Sequence, residues 1–249
     1  MKIDITGKRA IVAGGSRGIG RAIALAFAEA GAGVSICARG TEALAAARED
    51  IARYGGTAHS AICDLSDAAA IPGYIEEAAT ALGGIDILVN NASGFGTSDD
   101  EAGWAASISI DLLATVRASR AALPYLEKSD AASILNIASI SGFRASVRTP
   151  PYGAVKAAVL EYTLTQAAAL ASKRIRVNCI APGSIEFPGG TWARTKASNP
   201  DLYGRILRSI PFGRLGRPEE VAQVALFLCS SLAGWVTGQN IAVDGGQML

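Results

Sequence analysis

The sequence has one histidine, His59, among its 249 residues. Hydrolases that act through a serine, a histidine and an aspartate need the histidine as their general base. His59 lies in the alternating stretch GGTAHSAICDL, a pattern that is typical of a strand. We therefore expect this histidine to occupy an ordinary strand position, and we exclude a hydrolase of the Ser-His-Asp type.

Cysteines are also few, and they lie far apart. No Cys-x-x-Cys pair and no Cys/His cluster occurs, so the spacing of a zinc site or of a disulfide framework is lacking. We predict no metal site, and buried thiols in a reducing compartment, at the four cysteines Cys37, Cys63, Cys179 and Cys229.

The chain lacks both a strong charge of one sign and a long apolar run. Its formal net charge is +1, so nucleic acid is not an expected partner. No apolar stretch reaches the roughly 18 residues that a membrane span needs. The first residues, MKIDITGKRAIVAGG, lack the basic-then-apolar order of a signal peptide. These features predict a cytoplasmic protein with no membrane contact.

Short β-branched runs alternate with longer alanine-rich segments along most of the chain. The runs are almost continuously apolar, which is typical of strands covered on both faces: RAIVAG, GVSICA, TAHSAICD, IDILVNN, ASILNIAS, RIRVNCIAPG and NIAVDGG. Helical patterns lie between them, at residues 19–31, 41–54, 67–83, 102–128, 153–172 and 218–229. The alternation predicts an α/β fold, a doubly wound parallel sheet of Rossmann type with helices on both faces, in a single domain spanning residues 1–249.

One segment, residues 186–217, fits this alternation poorly. It mixes glycine and proline with Trp192, Tyr203 and Phe212. Long irregular insertions in compact domains are usually lids or binding loops. We predict a substrate lid here; a surface excursion without a function is the alternative.

The stretch VAGGSRGIGRA, residues 12–22, places four glycines between the first strand and the first helix. At such a turn, backbone N–H groups and the N-terminus of the helix can bind a phosphate. Gly14 permits the tight turn, Gly18 lets the backbone approach the ligand, and Gly20 lets the helix pack closely. We predict a dinucleotide site; an ordinary glycine-rich turn is the alternative.

The end of the second strand indicates which dinucleotide binds. Enzymes that hold NAD place an acidic residue there, about 20 residues past the glycines, to bind the ribose 2′-hydroxyl. This chain has Ala38 and Arg39 instead, and Arg17 lies inside the glycine stretch. Two cations without a carboxylate favour the 2′-phosphate of NADP(H); two solvated surface arginines are the alternative.

A hydride-transferring enzyme without a metal or a histidine needs another proton donor. Tyr152 and Lys156 lie four residues apart in YGAVK, on one face of a helix. A nearby ammonium favours the phenolate and brings the tyrosine pKa toward the working range. Ser139, at the end of the strand SILNIAS, can hydrogen-bond the substrate oxygen beside the tyrosine.

These pieces occur in an order that resembles the short-chain dehydrogenase/reductase family over essentially the whole chain. The matching motifs are GGSRGIG, CDL, LVNNAS, NIAS, YGAVK, RVNCIAPG, GRLGRPEEVAQVALFL and GQNIAVDGG. Ser139 precedes Tyr152 by 13 residues, as it commonly does in that family. The C-terminal motifs resemble those of the 3-oxoacyl-thioester reductases most.

The resemblance implies roles for individual residues. Tyr152 is the proton donor or acceptor, Ser139 orients the carbonyl, and Lys156 binds the nicotinamide ribose. The implied NADP(H) contacts are Gly14, Ser16, Arg17, Gly18, Ile19, Gly20, Arg39, Asp64, Leu65, Asn91, Ala92, Tyr152, Lys156, Pro182, Gly183 and Ile185. The resemblance also implies a homotetramer, formed through the two long helices and the C-terminal segment.

Three positions depart from the family pattern, and the first is Ser93, in NNAS where the family usually has NNAG. Asp111 stands where the family usually has an asparagine that holds a water in a proton relay through the lysine. We expect Asp111 to hold that water as a fourth catalytic residue; its charge can instead draw Lys156 away from the ribose. Phe187 stands where a threonine near the nicotinamide amide is common.

The substrate pocket is expected to be mostly apolar and to take a small carbonyl compound or alcohol. We expect Phe95, Ser141, Phe187 and Trp192 to line it. Arg144 and Arg148 either bind an anionic tail of the substrate or are solvated. An acyl carrier protein would need a basic surface, for which Lys173, Arg174 and Arg176 are the few candidates.

Three functions stay open at this stage. The predicted one is an NADP(H)-dependent reductase of a ketone or a 3-oxoacyl thioester. The second is a dehydrogenase that oxidises a secondary alcohol, a sugar or a steroid. The third is a non-enzymatic NADP-sensing protein, against which the intact Ser139, Tyr152 and Lys156 argue.

Overall fold

The computed structural model describes residues 3–249 and contains a seven-stranded sheet in the order β3-β2-β1-β4-β5-β6-β7. Every neighbouring pair is parallel. The strands are β1 Arg9–Ala13, β2 Gly33–Ala38, β3 Ala58–Ile62, β4 Ile87–Asn90, β5 Ser133–Ile137, β6 Arg176–Pro182 and β7 Asn240–Val243. All seven predicted runs are strands, which confirms the doubly wound parallel sheet.

Helices follow the strands. They are α1 Gly18–Glu29, α2 Thr41–Ala52, α3 Ala70–Leu82, α4 Glu101–Ala106, α5 Ala114–Leu126, α6 Pro150–Leu170, α7 Thr191–Ser198, α8 Pro200–Arg208 and α9 Pro218–Cys229. The segment predicted as one helix over 102–128 is divided, because a π-helical stretch, Ser107–Leu113, lies between α4 and α5. Helix α6 starts earlier than predicted, at Pro150, since proline is favoured in a first helical turn.

Two apolar layers cover the sheet. One contains Phe27 of α1, Leu44 of α2 and Leu228 of α9, and the other contains Ile75 of α3 and Leu126 of α5. Strand residues alternate between the layers, so Val12 faces the first and Ile11 the second. This two-sided burial is the physical reason that the strand sequences are almost continuously apolar.

The sequence predicted an irregular segment at residues 186–217, but this segment contains two helices, α7 and α8. Asn199 ends α7, and its side chain accepts a hydrogen bond from the backbone N–H of Leu202, which caps α8. Pro200 occupies the first turn of α8. Glu186 accepts a hydrogen bond from the Tyr203 hydroxyl at 2.8 Å, and this bond ties the segment's start to α8.

The remaining single residues are placed as follows. His59 is in β3, beside Ser35 and Glu77, as expected of a strand residue. All four cysteines are buried and free. Within residues 3–249 no three metal-binding side chains cluster, and none of the helices described there is long and apolar enough to cross a membrane.

Candidate active site

The strand order reverses between β1 and β4, and the glycine turn follows β1 at this point. In open parallel sheets, ligands bind in the crevice that this reversal creates at the carboxyl ends of the strands. Gly14 and Gly18 have φ values of +79° and +55°, in the left-handed region that favours glycine. The Asn91 amide donates to the Gly14 carbonyl oxygen at 2.8 Å, so the loop after β4 lies against the turn.

The start of α1 has the features of a phosphate cradle. A Cβ atom at Gly20 would lie 2.2 Å from the Gly14 carbonyl oxygen, so only glycine permits this close packing. Arg17 precedes the helix, and its side chain makes no capping hydrogen bond. No acidic residue lies in the first turn. Neither a capping side chain nor an acidic residue therefore competes with an anion for the positive end of the helix. Ser16 is half-buried beside Arg17, and Ile19 packs against the core.

The residues predicted to bind the adenosine end come together after β2 and β3. Arg39 is exposed at the end of β2. Asp64 follows β3, and its pKa is lowered first by hydrogen bonds from Ser66 and further by the charge of Arg39. Leu65 is buried beneath them. Ala92 packs on the turn, since a Cβ atom at Gly14 would meet the Ala92 backbone at 3.0 Å.

The residues after β6 are held rigidly. Pro182 ends the strand, and the Gly183 N–H donates to the Val243 carbonyl of β7 at 3.0 Å. Ile185 is buried and forms an isolated parallel bridge with Gly216. A backbone held in this way can present its polar groups to a ligand without the cost of ordering a loop.

Ser139, Tyr152 and Lys156 lie together, as their spacing predicted. Lys156 Nζ is 5.6 Å from the centre of the Tyr152 ring. Burial raises the pKa of Tyr152, whereas Lys156 and Ser139 lower it, and the net shift is upward. Ser139 follows β5 and is buried, and its Oγ accepts a hydrogen bond from the Ser141 N–H at 3.1 Å.

Asp111 makes a direct ion pair with Lys156. Its Oδ1 lies 2.9 Å from Nζ, and the two side chains are 0% and 3% exposed. This distance leaves no room for a water between the two atoms, and the relay water that Asp111 is expected to hold stays a prediction. The other carboxylate oxygen, Oδ2, accepts from the Gly94 N–H at 2.9 Å. Nζ also donates to the Ile137 carbonyl at 2.9 Å.

The predicted substrate residues do not all face Tyr152. Phe95 does, because its ring stacks on the tyrosine at a centroid distance of 6.0 Å. Ser141 is beside Ser139. Trp192 lies half-buried on α7. Arg144 donates to the Gln247 carbonyl at 3.0 Å, so the first of the two predicted anion-binding arginines is engaged with the C-terminal segment.

Phe187 has a contact that the sequence did not predict. Its ring lies over the cofactor turn, since Cβ atoms at Gly18 and Gly190 would lie 2.5 and 2.9 Å from its Cζ atom. The bridge at Ile185 and a turn from Phe187 to Gly190 bring the chain back over the start of α1. The sequence could not show this, because the contact joins residues 169 positions apart.

The sequence reasoning missed a buried polar network beneath the site. Asn90 donates to Asn136 at 2.9 Å, and Asn136 donates to Thr163 at 3.0 Å. The network joins β4, β5 and α6, the helix that carries Tyr152 and Lys156. The one signal in the sequence is polar residues inside strands that are otherwise apolar, a pattern that buried hydrogen bonds explain.

Comparison with known proteins places this geometry in a family. A family model described as enoyl-(acyl carrier protein) reductase matches residues 13–248. The 3-oxoacyl-[acyl-carrier-protein] reductase FabG of Chlamydia pneumoniae is 38% identical to the chain, and the match covers 99% of each protein.

Solved structures agree over the full length. A 7α-hydroxysteroid dehydrogenase complexed with NADH and 7-oxo glycochenodeoxycholic acid has a TM-score of 0.92 and 34% identity, covering 98% of this chain and 96% of that one. L-Sorbose reductase from Gluconobacter frateurii, complexed with NADPH and L-sorbose, has a TM-score of 0.91 and 31% identity, covering 100% and 99%. The chain therefore belongs to the short-chain dehydrogenase/reductase family, in a branch similar to the 3-oxoacyl-thioester reductases, and is an oxidoreductase acting on a ketone or an alcohol.

Proposed function

We propose that this protein is an NADP(H)-dependent ketoreductase in which Tyr152 gives the proton to the carbonyl oxygen. The observation that carries the proposal is the grouping of Tyr152, Ser139 and buried Lys156 at the carboxyl edge of the sheet, next to the glycine turn. The substrate is a ketone, and a 3-oxoacyl thioester is among the candidates.

The side chains divide the chemistry between them. Bound NADPH supplies the hydride that reduces the carbonyl carbon. Ser139 holds the carbonyl oxygen beside the Tyr152 hydroxyl, so the proton donor and its acceptor are within reach. Lys156 stays charged, because burial lowers its pKa but Asp111, Tyr152 and Cys179 together raise it by more. Its ammonium would hold the nicotinamide ribose and stabilise the phenolate that remains after proton transfer.

The choice of NADP(H) rests on Arg39 and Arg17. Both are exposed, and no carboxylate stands at positions 38 and 39 to repel a 2′-phosphate. Gly14, Ser16, Gly18, Ile19 and Gly20 would hold the pyrophosphate. The residues proposed for the adenosine and nicotinamide ends are Asp64, Leu65, Asn91, Ala92, Pro182, Gly183 and Ile185. The neighbours bind either nucleotide, NADH in one complex and NADPH in another.

The test is the rate of NADPH oxidation with a panel of ketones and one 3-oxoacyl thioester, with NADH run in parallel. We expect turnover with NADPH, weak turnover with NADH, and a loss of at least about 100-fold in Tyr152→Phe, since general acid catalysis contributes about 10²–10⁴-fold. Tyr54→Phe, at an exposed surface tyrosine, is the matched control. Full activity in Tyr152→Phe would refute the assignment.

Oxidation of a secondary alcohol, a sugar or a steroid is the alternative direction of the same chemistry. The same panel run with NADP⁺ and alcohols separates the two. An NADP-sensing protein would bind NADPH tightly and turn over none of these substrates.

An acyl carrier protein is a less favoured partner than a free small molecule. Of the three cations available for such a partner, Lys173 is paired with Glu127. Arg176 donates to the backbone carbonyls of Leu228 and Ser230. Few free cations are therefore left at this surface to meet an acidic protein.

Domain organisation, assembly and location are the remaining features of the protein that we propose. We propose a single domain, a substrate lid at residues 186–217, and a homotetramer. Apolar side chains on the surface support an assembly: Leu164 of α6 is 42% exposed and Trp235 is 100% exposed. The four free, buried cysteines agree with a reducing compartment, and we assign the protein to the cytoplasm.

A further inference from the structure

Asp111 stands at an unusual point of the backbone. It lies in the π-helical stretch Ser107–Leu113, a wide turn that is rare in proteins and frequently marks a functional site. Asp111 as a whole is 1% exposed. Its carboxylate contacts the Gly94 N–H, in the loop after β4, and Lys156 of α6, and so connects the two. Among the described groups Oδ1 has no hydrogen-bond donor, and its one polar contact is the ion pair with Nζ.

The ion pair changes what the lysine can do for the tyrosine. An isolated ammonium 5.6 Å from the phenol ring favours the phenolate. A carboxylate in direct contact with that ammonium cancels much of its field, and the low dielectric of a buried site makes both effects large. Asparagine has nearly the same shape but no charge, so it would no longer oppose the field of the ammonium.

We propose that Asp111 is a positioning residue that, through its ion pair with Lys156, keeps the Tyr152 hydroxyl protonated at neutral pH and so suits the site to carbonyl reduction. A protonated tyrosine is the form that donates a proton to a carbonyl oxygen. Oxidation of an alcohol needs the phenolate as base and is therefore confined to alkaline pH. The inference rests on the proposed role of Tyr152.

The ionisable groups around Tyr152 agree with this assignment. Burial is the main cause of the raised pKa of Tyr152, Lys156 lowers it, and Asp111 raises it. Cys179 of β6 lies near Lys156, but burial raises its pKa to about 12, so the thiol is neutral. Ser139 and Phe95 complete the surroundings and carry no charge. Asp111 is thus the carboxylate whose charge opposes Lys156 in this site.

The first measurement needs neither cofactor nor turnover. The phenolate absorbance is recorded after rapid jumps to alkaline pH, in wild type and in Tyr152→Phe. The chain has six tyrosines, and subtracting the absorbance of the variant from that of the wild type leaves the contribution of Tyr152. We expect Tyr152 to ionise above the ordinary value of about 10. A midpoint below that value would overturn the proposal.

The second measurement uses Asp111→Asn, which keeps the side chain's shape and an oxygen for Gly94. We expect the Tyr152 midpoint to fall by about one pH unit or more, the effect of a nearby charge. The alkaline limb of the reduction rate should move down by the same amount, and the rise of the oxidation rate should begin at lower pH. An unchanged or higher midpoint refutes the role of Asp111.

Asp86→Asn is the matched control, because Asp86 is a second buried carboxylate. It lies just before β4, at the amino ends of the strands, whereas the site lies at their carboxyl ends. This variant should leave the Tyr152 midpoint unchanged; an equal shift would show a general effect of net charge. If Asp111→Asn does not fold, Asp111→Ser, which also removes the charge, is titrated in its place, and a wild-type midpoint below about 10 would still overturn the proposal. Failure of the proposed function would give a different result. The Tyr152 titration would then follow expectation, while Tyr152→Phe kept its activity or the wild type turned over none of the substrates.

Discussion

Arg39 is the exposed residue to which the proposed function assigns the preference for NADPH over NADH. It lies at the end of β2, and its charge lowers the pKa of Asp64, which follows β3. A guanidinium binds a phosphate through two parallel hydrogen bonds, which a lysine or a neutral side chain cannot reproduce.

Replacing this arginine should change cofactor preference more than catalysis. In Arg39→Ala we expect the KM for NADPH to rise about 10-fold or more, the loss of a charge-assisted hydrogen bond of about 1.5–3 kcal/mol. The KM for NADH, which has no 2′-phosphate, should change little. Initial rates with both cofactors measure this.

Arg53→Ala provides the control, since Arg53 is a similarly exposed arginine that pairs with Asp50 at the end of α2. An equal rise in the KM for NADPH and for NADH in Arg39→Ala would contradict the role in 2′-phosphate binding.

At the level of elements, hydrogen bonds between Arg9 and Asp86, here called the polar clamp, join the amino ends of β1 and β4, away from the site. Asp86 accepts two hydrogen bonds from the Arg9 guanidinium at 2.8 Å each and one from the Arg9 backbone N–H at 2.9 Å. Burial raises the pKa of Asp86, but the hydrogen bonds from Arg9 and Ser129 outweigh it, and the net shift is downward.

Asp86→Asn should lower the free energy of unfolding by about 1.5–3 kcal/mol at pH 7, the range for hydrogen bonds to a charged group. A lowered pKa in the folded state adds stability above the unfolded-state pKa of about 3.9, and this stability is lost as pH falls through the folded pKa. The difference in the free energy of unfolding between wild type and variant should therefore become smaller below about pH 4. Urea unfolding at one protein concentration measures it.

Asp130→Asn is the control for this clamp, because Asp130 pairs with Lys8 at 3.5 Å with its side chain 94% exposed. Exposed pairs contribute about 0–1 kcal/mol. A pH-independent difference in Asp86→Asn would contradict the ionised clamp.

The loop between β6 and α7 places an aromatic ring on the cofactor turn. Phe187 lies on Gly18, where the backbone of the α1 N-terminus should meet the pyrophosphate. We expect a ligand bound there to displace the ring, at a cost to its binding free energy.

Phe187→Ala should therefore bind NADPH several-fold more tightly, because the displacement cost is removed. Titration calorimetry measures the Kd directly. Tyr54→Ala, at an exposed aromatic after α2, should leave it unchanged. A weaker affinity in Phe187→Ala would mean that the ring supports the cofactor instead of covering its site.

For the whole molecule, the surface distribution of apolar side chains favours assembly. Trp235 and Leu232 are 100% and 51% exposed next to the C-terminal segment, and Phe227 of α9 is 38% exposed. These three residues lie within nine positions of the chain, and exposed apolar groups that form a patch usually mark an interface.

Light scattering should give four times the 25.5 kDa mass of the chain. Trp235→Asp should shift this mass toward smaller species, because a charge at an apolar interface has to be desolvated. Ile62→Asp, at the exposed edge strand β3, should leave the mass unchanged. A monomeric wild type, or equal effects of both variants, would contradict the assembly proposed here.

Most of the architecture could be predicted from the sequence because it depends on local patterns. Strand runs such as that of β2 have no polar face, and the turn after β1 needs residues such as Gly14 with positive φ. Helix boundaries were less predictable, as the π-helical stretch after α4 shows, since packing selects that geometry and propensity does not. The helices inside 186–217 were missed because glycine and proline, which end helices, also start them, as Pro200 does.

The sequence by itself determined the parallel sheet, the glycine turn and the helical spacing of Tyr152 and Lys156, because each depends on residues close together in the chain. Only the tertiary structure decided that Asp111 touches Lys156 directly and that Phe187 covers Gly18. These contacts join elements far apart in sequence, and they depend on ångström-scale placement that residue patterns do not encode. The pKa of Tyr152 follows from the same placement, since burial and charge act through distance.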